Sequence, residues 1–333
     1  MKLTKIVSMV MTSATVLSTV AAATPAITQA TSQEGIAAGN KFNNGRTLPD
    51  NGRSKVGITF GKGSGTNPGG GGTNPDNPGG GGNPNKPDDG KGSNTDPGDG
   101  DHNGDGTLKP IGYLRLQHVP EVLDFGSYTA FNSANPVFTA AGTNLNDTGN
   151  DVHPGYAGAD NQTPKLSTTD PNLSGVNGKT WLTVVDKQDK RTTTDGKNDK
   201  YTGSWQLKVK ADGPLTTGSD ANAKTIAGAT LTFKNTKEST TDKLFDLTGN
   251  EADKGYETFT PLVNLPVSDF TVNLNSSSTA VQIGEDKGPN LSGGAYVFAW
   301  DPSDIKLTLP ASASVDAGTY TTSLTWTLST GIQ

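Results

Sequence analysis

Residues 318–329 read Gly-Thr-Tyr-Thr-Thr-Ser-Leu-Thr-Trp-Thr-Leu-Ser, with Tyr320, Thr322, Leu324, Trp326 and Leu328 two positions apart. A period of two puts all five on one face of an extended strand and leaves the intervening Thr and Ser on the other. Earlier in the chain, residues 204–210 use the same device. Trp205, Leu207 and Val209 share one face there, and Ser204, Gln206, Lys208 and Lys210 share the other. Strands of this kind need a sheet with one face buried, which makes β structure the frame for everything else.

The same texture recurs. Residues 56–60, 180–186, 226–233, 270–274, 280–283, 295–300 and 305–310 are short Val/Ile/Thr/aromatic runs between Gly, Asn, Asp and Pro turns. Such spacing predicts an all-β fold, an antiparallel sandwich or a barrel-like domain. No segment carries a convincing helical period beyond a turn or two. Residues 142–178 are rich in Asn, Asp, Gly, Thr and Pro and read as long loops, with His153-Pro154-Gly155-Tyr156 as a turn.

Three regions are expected. Lys2 and Lys5, an apolar run from Ile6 to Met11 and a small-residue stretch ending in Ala21-Ala22-Ala23 have the order of a signal peptide over residues 1–30, cleaved after Ala23 or Ala30. Ser and Thr interrupt its apolar run before the roughly 18 residues a membrane helix needs, so no membrane insertion is expected after cleavage. Residues 31–106 form a polar segment and a low-complexity linker of Gly, Pro, Asn and Asp, including the blocks Gly69 to Gly72 and Gly79 to Gly82. As a disordered coil, residues 61–106 would span ~35–40 Å. The folded domain is expected over residues 107–333. Leu48-Pro49-Asp50-Asn51-Gly52 faintly resembles a sortase signal but lacks the Thr and an apolar tail. Covalent anchoring through it is not expected.

Composition narrows the function. The chain has 333 residues, 27 basic and 33 acidic, for a net charge of −6. Nucleic acid is excluded as a partner, because displacing its counterions takes a basic surface. The net charge also gives no long-range pull towards anionic lipids or wall polymers, which implies short-range, salt-tolerant contacts. With no cysteine, disulfides, thiolate nucleophiles and Cys-based zinc sites are all ruled out.

Catalytic signals are missing. His102, His118 and His153 lack metalloprotease spacing, and there is no phosphate-binding loop or Gly-x-Ser-x-Gly elbow. Glu121, Asp124, Asp186 and Asp269 lie beside predicted strands and are the only candidate acid–base carboxylates; turn and strand-end roles explain them better. The expectation is a non-enzyme without a cofactor. One metal candidate stands out: Asp101, Asn103 and Asp105, followed by Gly106 and Leu108, match the opening of an EF-hand calcium loop. Gly112 occupies the position that should supply a bidentate carboxylate, so solvated linker is the plainer reading.

The four tryptophans, Trp181, Trp205, Trp300 and Trp326, all fall in predicted strands. They could form a core, or an exposed platform on which sugar rings stack. Alternation with Leu favours the core.

The paired Trp-x-Leu motifs, Trp205-Gln206-Leu207 and Trp326-Thr327-Leu328, sit in a Thr-rich, cysteine-free chain with an export signal. Together with the Phe125-Gly126 pair and a Gly-Ala strand at Gly228-Ala229, they resemble the WxL domain family, surface proteins of low-GC Gram-positive bacteria. The resemblance implies a secreted protein attached non-covalently to the cell wall, with peptidoglycan as ligand and WxL-interacting and other surface proteins as partners. It makes Trp205, Leu207, Trp326 and Leu328 the signature residues, with Trp181, Trp300 and Tyr320 as supporting aromatics. The alternative reading is an adhesin whose loops bind a host or environmental glycan or matrix protein.

Overall fold

A computed structural model describes residues 48–61, 114–145, 151–158, 160–187, 205–218, 222–256, 269–286 and 293–330. In chain order the strands are β1 (Asp50–Phe60), β2 (Leu114–His118), β3 (Val122–Tyr128), β4 (Val137–Thr139), β5 (Thr180–Asp186), β6 (Trp205–Ala211), β7 (Leu215–Thr217), β8 (Lys224–Ile226), β9 (Thr230–Phe233) and β10 (Lys237–Thr241). A short helix α1 (Leu244–Thr248) precedes β11 (Phe270–Asn273), β12 (Val281–Asp286), β13 (Gly294–Trp300), β14 (Ile305–Thr308) and β15 (Gly318–Thr330). The all-β expectation is met.

The described strands form three sheets. The first runs β12-β6-β15-β1-β3, with β7 beside β15 and β8 beside β7; the second is β10-β13-β5-β2 and the third β11-β9-β14-β4. Their inward faces meet in one large core that takes Val56, Ile58, Trp205, Leu207, Trp326 and Leu328 from the first sheet. Leu182, Phe298 and Trp300 come from the second, and Leu231, Phe233 and Leu307 from the third. The period of two in the sequence is therefore the period of this core.

The folded unit starts earlier than residue 107. β1 lies inside the first sheet, antiparallel to β15 over an unbroken register from Asp50↔Leu328 to Phe60↔Gly318, and parallel to β3 on its other side. Its Val56, Ile58 and Phe60 are buried. The low-complexity stretch thus interrupts a domain instead of preceding one, and a composition boundary could not reveal a partner strand on its far side. The sortase-like stretch is likewise part of the fold. Leu48 is buried, and the Asp50 carboxylate accepts a hydrogen bond from the Leu116 N–H at 2.8 Å.

Two further details differ from a simple strand count. The run 226–233 is two strands in two sheets, because Gly228 takes a left-handed φ of 78° and turns the chain between β8 and β9. The Phe-Gly pair marks a bulge: pairing of β1 with β3 shifts register between Gly57 and Thr59, and Gly126 there has a φ of 87°. Its N–H donates to the Asp124 carboxylate at 2.9 Å.

The described parts of the 142–178 region are irregular, as expected, yet they are packed. Leu166, Leu173 and Val176 cover the outer face of the second sheet together with Leu244 and Leu247 of α1. A single 3-10 turn, Pro171–Leu173, is capped by the Asp170 carboxylate, which accepts from the Asn172 N–H.

Candidate functional site

The two signature motifs are neighbours in space. β15 pairs with β6 so that Leu328 faces Leu207, Trp326 faces Val209 and Thr330 faces Trp205. All four signature side chains, Trp205, Leu207, Trp326 and Leu328, are fully buried. The Trp326 indole N–H donates to the Ser54 hydroxyl of β1 at 2.7 Å. Its ring lies 6.3 Å from Trp300 of the second sheet and 5.9 Å from Phe233 of the third. Trp326 is thus where the three sheets meet, tied down by a hydrogen bond to the strand across the linker.

Trp205 packs edge-on against Tyr296 at 5.4 Å, and its N–H has no hydrogen-bond partner among the described residues. Trp300 donates to the Thr236 hydroxyl at 2.9 Å. Tyr320 is buried as a ring, with its hydroxyl bonded to the backbone of Asp316. Trp181 faces the other way, out of the second sheet and under the loops, where it stacks on His118 with centroids 3.9 Å apart. In this conformation none of the six aromatic or leucine side chains of the core can touch a polymer outside. Of the two roles left open by the sequence, the core is the one the geometry fits.

The candidate carboxylates are dispersed. Asp124 is buried, and its oxygens accept from the N–H groups of Gly126, Tyr156 and Gln162 at 2.9–3.0 Å. Burial raises its pKa, more than these three bonds lower it. It organises the loop over β3. Glu121 precedes that strand, Asp186 ends β5 in another sheet, and Asp269 faces Lys234 at 3.4 Å in the third. Asp101, Asn103, Asp105 and His102 lie outside the described residues. Among the described residues no cluster of three or more His, Cys, Asp or Glu could hold a metal. His153 packs on the Tyr128 ring at 4.2 Å.

Sequence reasoning gave little notice of a polar cluster at the edge strand β2. Arg115 and Asp253 form a fully buried ion pair. Asp253 also accepts from Lys187 at 3.0 Å and from the Thr248 hydroxyl at 2.7 Å, while the Arg115 Nε–H donates to Gln117 at 2.6 Å. Burial alone would raise the Asp253 pKa; Arg115, Thr248 and Lys187 outweigh it and hold the carboxyl below its ordinary value. An Arg between Leu114 and Leu116 reads as solvent-facing by alternation, which is why the pattern hid it.

The outward face of the first sheet is the other feature that needed registers to be seen. Across the strands, Arg53 aligns with Thr325 and Lys210, and Asn51 aligns with Thr327 and Lys208. Lys55 aligns with Ser323 one row further on. Arg53 is bridged to Asp212 at 2.6 Å with its side chain 68% exposed, and the Thr325 hydroxyl donates to the same carboxylate. Thr327 donates to Asn51 at 2.8 Å. The sequence showed Gln206, Lys208 and Lys210 on one face of their strand; it could not show that Arg53 and Lys55 join them.

The sequence matches a family model described as "WxL domain surface cell wall-binding" over residues 47–331. The chain belongs to the WxL family. That span begins just before β1 and ends just after β15, so the WxL match and the three-sheet unit are the same object. WxL membership makes this a cell wall-binding surface domain, extracellular and associated with the wall. In it the residues named in "Trp-x-Leu" are interior, and the middle residues, Gln206 and Thr327, belong to the outward face. No curated protein and no solved structure matches the chain.

Proposed function

We propose that this protein is an exported, non-catalytic surface protein held non-covalently to peptidoglycan by its three-sheet WxL unit. The observation that carries the reading is the wall-binding family match running from residue 47 to residue 331, across β1, the linker and every strand. Two further features support it. The amino-terminal residues have the order of an export signal, and the candidate carboxylates are dispersed over the sheets instead of converging as an acid–base pair would. WxL-interacting and other surface proteins are its proposed partners at the wall. Calcium at Asp101, Asn103 and Asp105 would be an accessory ligand of the linker.

Incubating the full mature chain with purified, phosphodiester-free peptidoglycan tests the attachment. The chain should sediment with the insoluble polymer and be released intact by denaturant without digestion of the glycan. A chain that stays in the supernatant, or that only glycan digestion releases, overturns the reading.

A further inference from the structure

The WxL unit buries its signature Trp205 and Trp326, together with Trp300 and Tyr320, so wall contact has to be made by groups that it exposes. The outward face of β6, β15 and β1 differs from the rest of the chain in charge. It carries Arg53, Lys55, Lys208 and Lys210, with Asp212 bonded to Arg53, in a protein whose net charge is −6. Neighbouring strands lie about 4.8 Å apart and alternate residues about 6.8 Å apart along a strand, which sets the four cations on a shallow grid. Thr325 and Thr327 fill the positions between them. We propose that this face is the docking surface for peptidoglycan, with the cations meeting stem-peptide carboxylates and the Thr hydroxyls meeting the sugar and amide groups around them. The inference rests on the wall-binding reading above and names the surface and the charged group that reading leaves open.

The mix of groups favours peptidoglycan over a phosphodiester polymer. Cations are spaced among uncharged hydroxyl and amide side chains such as Asn51 and Gln206, which suits a polymer with occasional carboxylates among many neutral hydrogen-bonding groups. A polyanion charged at each repeat would call for a denser basic stripe. Lys208 and Lys210 point away from the core, between the buried Leu207, Val209 and Ala211, so both can be neutralised without touching the fold. The same property revises the expectation from net charge alone: binding is sensitive to salt because the charge is local.

The test compares the full chain with Lys208→Gln/Lys210→Gln on phosphodiester-free peptidoglycan, at low and high salt. Lys306→Gln, on the outward face of the third sheet, is the control. Losing two charge-assisted contacts should weaken binding about tenfold or more and flatten the salt dependence, with unfolding unchanged. The control should bind as wild type. Peptidoglycan whose carboxylates have been converted to amides should bind the wild type as weakly as the double variant binds untreated polymer. Equal binding by wild type and double variant overturns the inference while leaving the attachment reading intact. Undiminished binding to amidated peptidoglycan overturns it too, as does wild-type binding only when the phosphodiester polymer is present. A wild type that binds no wall preparation fails the attachment reading itself.

Discussion

The second sheet separates two apolar clusters that are built differently. On its inner side, three sheets close over Trp326, Trp300, Phe233 and Phe270, and the Trp326 and Trp300 indoles both have hydroxyl partners. On its outer side, α1 and irregular loops cover Trp181, Val185, Ala295 and Val297. That layer also buries a charged pair, Arg115 with Asp253, and polar atoms of Gln117, His118 and Thr183 that have no hydrogen-bond partner among the described residues, a condition shared on the inner side by the Trp205 indole. Regular strands place side chains by period and leave polar groups on the far face. Loops have no period, so they close over whatever the edge strand β2 presents. The inner cluster should therefore govern whether the chain folds, and the outer one how its stability responds to pH and to single polar changes.

The largest effect should come from the inner side. Deleting residues 48–61 removes the strand between β15 and β3 and exposes both edges, and the remaining chain should lose cooperative unfolding altogether. Circular dichroism through a denaturant series would show it; a sharp transition in the deleted chain would make β1 an accessory to the inner cluster. Trp326→Ala follows, costing about 3–5 kcal/mol as a fully buried aromatic truncation. A loss within about 0.5 kcal/mol would instead mark Trp326 as a replaceable surface ring.

The inner cluster was largely legible in the sequence because alternation survives without knowledge of neighbours. Trp205, Leu207, Trp326 and Leu328 could be placed on buried strand faces from a period of two. What alternation cannot supply is which strand lies beside which. β1 is separated from β2 by the low-complexity stretch, and its partner β15 lies at the opposite end of the domain, so its membership in the sheet was not readable. Lys55 and Lys210 joined one face for the same reason. Arg115 broke the rule outright: its position predicts solvent, and Asp253, brought over by the segment after α1, makes burial tolerable.

On the outer side, Asp253→Leu takes the Asp253 carboxylate away from the fully buried Arg115 guanidinium and should cost about 3 kcal/mol at neutral pH. Adding Arg115→Met should recover most of that loss; a double variant as unstable as the single one would place the effect in packing instead. His118 supplies the pH response. Burial lowers its pKa from 6.5 to about 3, so the folded state keeps it neutral while the unfolded chain takes up a proton. Its contribution is fully present above pH 6.5 and falls by about 1.4 kcal/mol per pH unit as acidity increases towards pH 3. His118→Phe keeps a ring against Trp181 and should remove that slope, read as the difference between the two chains' denaturation midpoints from pH 7 to 4. Asp124, whose raised pKa acts in the opposite sense, is common to both chains and cancels. Identical slopes would show that His118 is protonated in the fold.

The smallest effect is the sharpest division between the two clusters. The Thr183 hydroxyl is completely buried on β5, on the same face as Trp181 and Val185, and has no hydrogen-bond partner among the described residues. A buried hydroxyl without a partner has lost its water and gained nothing for it. Thr183→Val replaces it with a methyl of nearly the same shape and should leave stability unchanged or raise it by up to about 1 kcal/mol. Ser54→Ala on the inner side makes the opposite case: it strips the Trp326 indole of its acceptor and should cost about 1–2 kcal/mol. Both are conservative exchanges of a buried hydroxyl for a methyl or hydrogen, so urea unfolding of the two single variants compares the clusters directly. If Thr183→Val costs as much as Ser54→Ala, the outer hydroxyl is satisfied by ordered water, and the two clusters follow the same rule after all.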